Sequence, residues 1–151
     1  MLDLVAKLFG TFFYLGYFPF ASGTIASGAS VALFLWLGAD YRIYVFVLAA
    51  LTVIGFWASG EVEKSVGKKD PSCVVIDEVV GGMIAFFMLP ATPAVMWTAF
   101  FLFRAFDMFK IYPINKLEER GGGAGIMLDD IVAGIYTNII MQIALCFVIV
   151  Q

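Results

Sequence analysis

Residues 74–110, VVIDEVVGGMIAFFMLPATPAVMWTAFFLFRAFDMFK, decide how this chain folds. The stretch is apolar almost throughout, yet it opens on Asp77-Glu78, closes on Arg104, Asp107 and Lys110, and carries Pro90 and Pro93 between them. Proline lacks an N–H and disfavours helix in the residue before it, so the helical pattern breaks there. Read as a hairpin, two helices turn at the prolines and bring Arg104, Asp107 and Lys110 back to the end where Asp77 and Glu78 begin. Read as one continuous span, the two charged ends would lie on opposite sides of a membrane. A charged side chain within a membrane helix costs about 2.5–3.5 kcal/mol at the helix centre. The hairpin gathers all these expensive residues at one surface, and it is the expected arrangement.

Outward from this hairpin the chain is equally oily. Of its 151 residues 62% are hydrophobic, 17% aromatic and only 14% charged, and the mean hydropathy is +0.97. Soluble domains are roughly 45–50% apolar, so a soluble fold would have to hide the excess in an oligomer interface. The length allows one domain over 1–151. Five apolar segments are expected, at residues 26–39, 43–59, 74–89, 94–110 and 131–150, with residues 2–14 as a helix at the interface. The first and third are short for a span of about 20 residues and are expected to tilt or insert partly. The fold class is therefore all-α: a polytopic helical membrane protein with about four to five membrane-embedded helices and an N-terminal interfacial helix. The loops at 60–72 and 111–128 fall on one side in this scheme. They hold Lys64, Lys68, Lys69, Lys116 and Arg120, which places them in the cytoplasm by the positive-inside rule. No cleavable signal is expected, because Lys7 is opposed by Asp3 and the early apolar stretch is broken by Gly10, Gly16 and Pro19.

Composition also excludes chemistries. The net charge of −3 and pI of about 4.7 argue against nucleic acid as a partner, which calls for a basic face. There is no histidine, which removes phosphohistidine intermediates, imidazole acid–base work and His-ligated zinc. Any metal must be held by oxygen, which points to a hard cation such as Mg²⁺. Cys73 has no Arg six residues on, so a Cys-x5-Arg phosphatase loop is absent. Cys146 lies in an apolar helix and reads as a small buried hydrophobe; no disulfide is expected.

The remaining charged residues are placed for phosphate chemistry. Arg104, Asp107 and Lys110, three apart, fall within an arc of about 120° on one helix face. They either neutralise one another at a helix end or line a site. Asp129-Asp130 follow the glycine run Gly121-Gly122-Gly123-Ala124-Gly125, read as a loop, and open the last helix. One aspartate there suits an N-cap, but a second is not needed for capping. Glycines let a backbone approach phosphate or metal closely, and a helix N-terminus favours anions. Ser22, Gly23, Thr24 and Ser27 form a further candidate phosphate cradle, or equally a turn in which Thr24 or Ser27 caps a helix. Phosphate monoester hydrolysis needs a cation to neutralise phosphoryl oxygens and activate water, acids to hold it, and Arg or Lys to hold the phosphate.

Four blocks, YFPFASGTIASG, IDEVVGG, FRAFDMFKIYPI and GGGAGIMLDDIVAG, together resemble the phosphatidylglycerophosphatase A family over nearly the whole length. The resemblance implies a Mg²⁺-dependent phosphatase of the bacterial inner membrane, multi-pass, converting phosphatidylglycerophosphate to phosphatidylglycerol at the cytoplasmic face. It places Asp77, Glu78, Arg104, Asp107, Lys110, Asp129 and Asp130 in the active site. Asp77, Glu78, Asp107, Asp129 and Asp130 are then the expected Mg²⁺ ligands around an activated water. Arg104 and Lys110, with Thr24 and Ser27, are expected to hold the phosphate of a substrate drawn from the surrounding membrane lipid. Ile111 and Ala26 stand where the family pattern usually has Pro and Gly. Two alternatives share these features: a CDP-alcohol-type lipid headgroup transferase, whose Asp-Gly…Ala-Arg series is not found, and an ion-coupled membrane transporter, for which internal repeats are lacking.

Overall fold

The computed structural model describes residues 2–38, 40–112, 114–118 and 121–149, and no β-strand occurs among them. The chain runs as α1 (Leu2–Gly10), a 3-10 turn at Leu15–Tyr17, α2 (Ser22–Leu37), α3 (Tyr41–Val66), α4 (Ile76–Phe86), α5 (Pro93–Phe109), the short α6 (Ile114–Glu118) and α7 (Gly122–Ile149). The expected segment ends at Ala39 and Val150, and Arg120 of the basic loop, lie outside the described residues.

α4 is the axis of the molecule. Ile76, Val79, Val80, Met83 and Phe86 are all fully buried, because α2, α3, α5 and α7 all pack around it. Small residues permit the close approach. A Cβ at Gly81 would stand 2.6 Å from the Asp130 carbonyl oxygen and 2.9 Å from the Phe103 ring. One at Gly134 of α7 would run into the Gly81 carbonyl. Such small-residue crossings let two backbones touch where apolar side chains would hold them apart. Gly81→Ala is therefore expected to destabilise the protein by about 1–3 kcal/mol, as overpacking against backbone does. Thermal unfolding in detergent checks this, and an unchanged midpoint would show that α4 and α7 part freely.

α2 and α3 meet the α4–α5 hairpin at the end away from Asp77. Phe34 of α2 lies 6.0 Å edge-on from Tyr44 of α3 and 5.8 Å from Phe86 of α4. The Tyr44 hydroxyl donates to the Met83 carbonyl at 2.6 Å. Pro93 starts α5 at a position where its missing N–H costs nothing. The carbonyls at the end of α4 have no helical donors, and α7 supplies them. The Asn138 side chain donates to Ala85 and Phe87 at 3.1 and 2.7 Å. This explains an amide in the middle of an apolar helix.

Three expectations are corrected. α3 continues through residues 60–66 instead of ending at 59, with Lys64 paired to Glu61 across one turn, and it closes at Gly67 with φ 68°. Polar residues ended the apolar pattern but not the helix. The glycine run is not a loop: α7 begins at Gly122, where a Cβ on Gly123 would collide with the Phe56 carbonyl of α3. The glycines serve helix contact. Cys146 is exposed on α7, not buried, so its apolar surroundings in sequence reflect an outward face.

α3 and α7 are long and apolar enough to cross a membrane, and only 22% and 28% of their most apolar stretches are buried. A core helix of a soluble protein would be mostly covered. Phe20, Trp36, Phe46 and Phe147 are likewise more than 70% exposed.

Candidate active site

Three helix ends, one loop and the third turn of α7 line an open cavity of about 410 Å³. α2 brings Ser22, Gly23 and Thr24 of its first turn; α4 brings Asp77 and Glu78 of its first turn. α5 brings Arg104 and Asp107, and Lys110 follows as its left-handed cap at φ 44°. Asp129 and Asp130 stand inside α7, not at its N-cap, because the helix starts at Gly122. The two ends of the 74–110 segment thus share one cavity, as a hairpin requires.

The five acids divide into two sets. Asp107 accepts from the Arg104 guanidinium at 2.5 Å, and Asp129 pairs with the Lys110 ammonium at 3.2 Å while accepting from the Asp130 N–H at 3.0 Å. Asp77, Glu78 and Asp130 each offer a carboxylate oxygen within 4.8 Å of the other two. Asp77 Oδ1, Glu78 Oε2 and Asp130 Oδ2 are shielded and meet no hydrogen-bond donor. Uncompensated buried carboxylates are costly. α4, with 11 residues, is too short to cross a bilayer, and its two acids sit at its open end. Burial raises the Asp77 carboxyl well above the usual range, with the Glu78 charge adding to it. Burial pushes Glu78 up to about 7, with Asp107 adding and Arg104 opposing. Three oxygens that strain against sharing negative charge fit a cation, and an all-oxygen set suits a hard one.

Gly23 leaves room for this arrangement, since a Cβ there would push the Glu78 carboxylate aside and approach Arg104 Nη1 at 3.4 Å. Thr24 lines the cavity, but Ser27 does not. Its side chain is wholly buried and its hydroxyl donates to the Gly23 carbonyl at 2.9 Å, one turn back on α2. The structure thus places Ser27 away from the cavity lining, with its hydroxyl engaged within α2.

Asp70, Ser72 and Met108 also line the cavity, and the pattern of residues had not singled them out. Asp70 takes a left-handed φ of 46°, which Asp tolerates better than most residues. The loop is folded back by Val74 N–H to the Pro71 carbonyl (2.8 Å) and by Val75 N–H to the Gly10 carbonyl (3.0 Å). Only that fold-back turns Asp70 towards Asp77; in sequence it resembles any solvated loop acid next to two lysines.

A family model described as phosphatidylglycerophosphatase A matches residues 8–145. Among curated proteins, the chain is 38% identical over 148 residues to a Bacteroides thetaiotaomicron protein whose provisional name is phosphatidylinositol-3-phosphatase, covering 91% of each. It is 35% identical over 136 residues to the Escherichia coli phosphatidylglycerophosphatase A, covering 87% of this chain and 76% of that one. The Haemophilus influenzae phosphatidylglycerophosphatase A is 34% identical over 105 residues, 66% of this chain and 63% of its own. No solved structure matches the chain. With the family model extending from α1 to near the end of α7, and a curated member 35% identical over 87% of the chain, the chain belongs to the phosphatidylglycerophosphatase A family of lipid phosphatases.

Proposed function

We propose that this protein hydrolyses the terminal phosphate monoester of phosphatidylglycerophosphate, giving phosphatidylglycerol and phosphate. The observation that carries this reading is the trio of donor-free carboxylate oxygens on Asp77, Glu78 and Asp130 in the cavity that Arg104 and Lys110 also line. A phosphomonoester needs both halves of that cavity. Asp77, Glu78 and Asp130 would hold Mg²⁺. When bound, Mg²⁺ neutralises phosphoryl charge and lowers the pKa of an attacking water. Arg104 offers a planar fork to two phosphoryl oxygens and Lys110 a point charge. Asp107 and Asp129 hold these two cationic heads in place before substrate arrives. The Thr24 hydroxyl and the free N–H groups of the first turn of α2 supply further donors to an anion.

The surroundings support a bilayer substrate. We take residues 1–151 as a single membrane domain, multi-pass in the bacterial inner membrane. α3 and α7 cross it, α2 and the α4–α5 hairpin are embedded beside them, and α1 lies at the interface. The cavity faces the cytoplasm, the side to which the positive-inside rule assigns the loops carrying Lys64, Lys68, Lys69 and Lys116. The family leaves the transferase and transporter alternatives without support.

The test is phosphate release by detergent-purified protein from phosphatidylglycerophosphate, with Mg²⁺ and with EDTA. Release is expected with Mg²⁺ and its loss with EDTA. Because one relative's name points to a phosphoinositide, phosphatidylinositol 3-phosphate is the second substrate. Turnover of that lipid alone would replace the proposed substrate, and turnover of neither by folded protein would overturn the reading.

A further inference from the structure

A second concavity, of about 390 Å³, runs between α2 and α5, and every residue lining it is apolar. Gly28, Val31 and Leu35 form its α2 wall; Met96, Trp97 and Phe100 form its α5 wall. The same two helices wall the cavity described above, one turn nearer the charged end. On α2, Thr24 of that cavity is followed at helical spacing by Gly28, Val31 and Leu35. On α5, Arg104 is followed in the opposite direction by Phe100 and Trp97. Residues at such spacings share a helix face, so the groove descends from the phosphate end along one continuous strip. Thr24 to Leu35 is about 16 Å of helix. At the far end Leu35 and Ala91 also line a further cavity of about 330 Å³ beside the turn between α4 and α5.

Gly28 marks what the groove is for. At Gly23, Gly81 and Gly82 a Cβ would strike a neighbouring chain segment, but at Gly28 it would meet nothing within 4 Å. Glycine inside a helix weakens it relative to alanine, and no packing partner in the protein asks for that weakness here. Trp97 and Leu35 beside it stand 62% and 60% exposed.

We infer that this groove is the seat of one acyl chain of the lipid substrate, with Gly28 keeping its upper end open. The inference rests on the phosphatase reading above. The chain enters between Gly28 and Phe100, one turn below Thr24 and Arg104, and lies along Val31 and Trp97 towards Leu35. Tethering the substrate there fixes the depth at which its phosphate meets Arg104 and Lys110.

The experiment compares wild type, Gly28→Ala and Gly28→Leu in mixed micelles with Mg²⁺, on dioleoyl and on dihexanoyl phosphatidylglycerophosphate. Gly28→Leu is expected to raise KM for the dioleoyl lipid about tenfold or more, as an extra group in an apolar pocket does, with kcat retained. On the dihexanoyl lipid it should change kcat/KM by less than about twofold, and Gly28→Ala should fall between. Equal loss on both lipids, or no change on either, overturns the inference; the latter means bulk lipid fills the groove. A second measurement needs no variant: a long-chain substrate analogue with a diazirine midway along one acyl chain should label peptides of α2 and α5 in the wild type. Label spread over the outward faces of α3 and α7 instead also overturns it. If wild type releases phosphate from neither lipid, phosphatidylglycerophosphate fails as the substrate and the labelling alone decides the groove.

Discussion

Asp130→Asn is expected to lower phosphate release from phosphatidylglycerophosphate by about 10³-fold or more, beyond the 10–100-fold typical when an outer-shell partner of a metal site is removed. The change is nearly isosteric and leaves the packing of α7 against Gly81 intact. It removes one of three charges whose oxygens lie within 4.8 Å of one another. Asp130 is 2% exposed and its Oδ2 meets no donor, so its charge has no structural partner to lose. Stability separates this from simple misfolding. In EDTA the variant should unfold at or above the wild-type temperature, because repulsion within the trio is relieved. With Mg²⁺ the order should reverse. A cation that binds only the folded state stabilises it by about 2.7 kcal/mol at a hundredfold excess over Kd, and the variant should lose most of that gain. Wild-type turnover, or an undiminished Mg²⁺-induced shift in unfolding temperature, would remove Asp130 from the site.

Arg104→Gln is expected to cost about 10²–10³-fold in kcat, the range seen when one donor to developing oxyanion charge is deleted. Arg104→Lys should recover only part of it, since an ammonium cannot reproduce the fork. Asp107 makes this test informative, because the residue pattern cast it as a metal ligand while the structure sets it 2.5 Å from the Arg104 guanidinium. If Asp107 holds Arg104, Asp107→Asn should weaken turnover without moving the Mg²⁺ concentration for half-activity. The double variant should then be hardly worse than Arg104→Gln alone, as for two residues acting as one unit. A large rise in the Mg²⁺ requirement of Asp107→Asn would return that carboxylate to the metal. Full additivity of the two changes would separate it from Arg104.

Much of this was legible in the residues. Pro90 and Pro93 interrupt the helical pattern of a long apolar run, and the charged residues at both ends of that run then favoured a turn there over one continuous span. Glycine was harder. Gly121 to Gly125 read as a flexible loop because glycine lowers helix propensity, yet α7 starts at Gly122, and at Gly123 its contact with the Phe56 carbonyl leaves no room for a side chain. Propensity is local and was overruled by a neighbour sixty-odd residues away in sequence. Ser27 and Asp70 show the same limit from opposite sides. Ser27 sat in the right motif, but its hydroxyl turned to the Gly23 carbonyl. Asp70 sat in an unremarked loop, and two backbone hydrogen bonds fold it into the cavity.

By itself, then, the amino-acid sequence determined the class of the molecule and the kind of chemistry it holds. Apolar runs set the helices, the prolines with the charges at both ends of their segment set the hairpin, and the lack of histidine with the many clustered acids pointed a metal to oxygen ligands. These are properties of single residues and their spacing. The division of labour among five carboxylates was decided only by the tertiary structure. Which oxygens find a cationic side chain and which are left without a donor depends on how closely α4, α5 and α7 cross. That distance is set by Gly81 and Gly134 meeting across the interface, a contact between helices that no local pattern encodes.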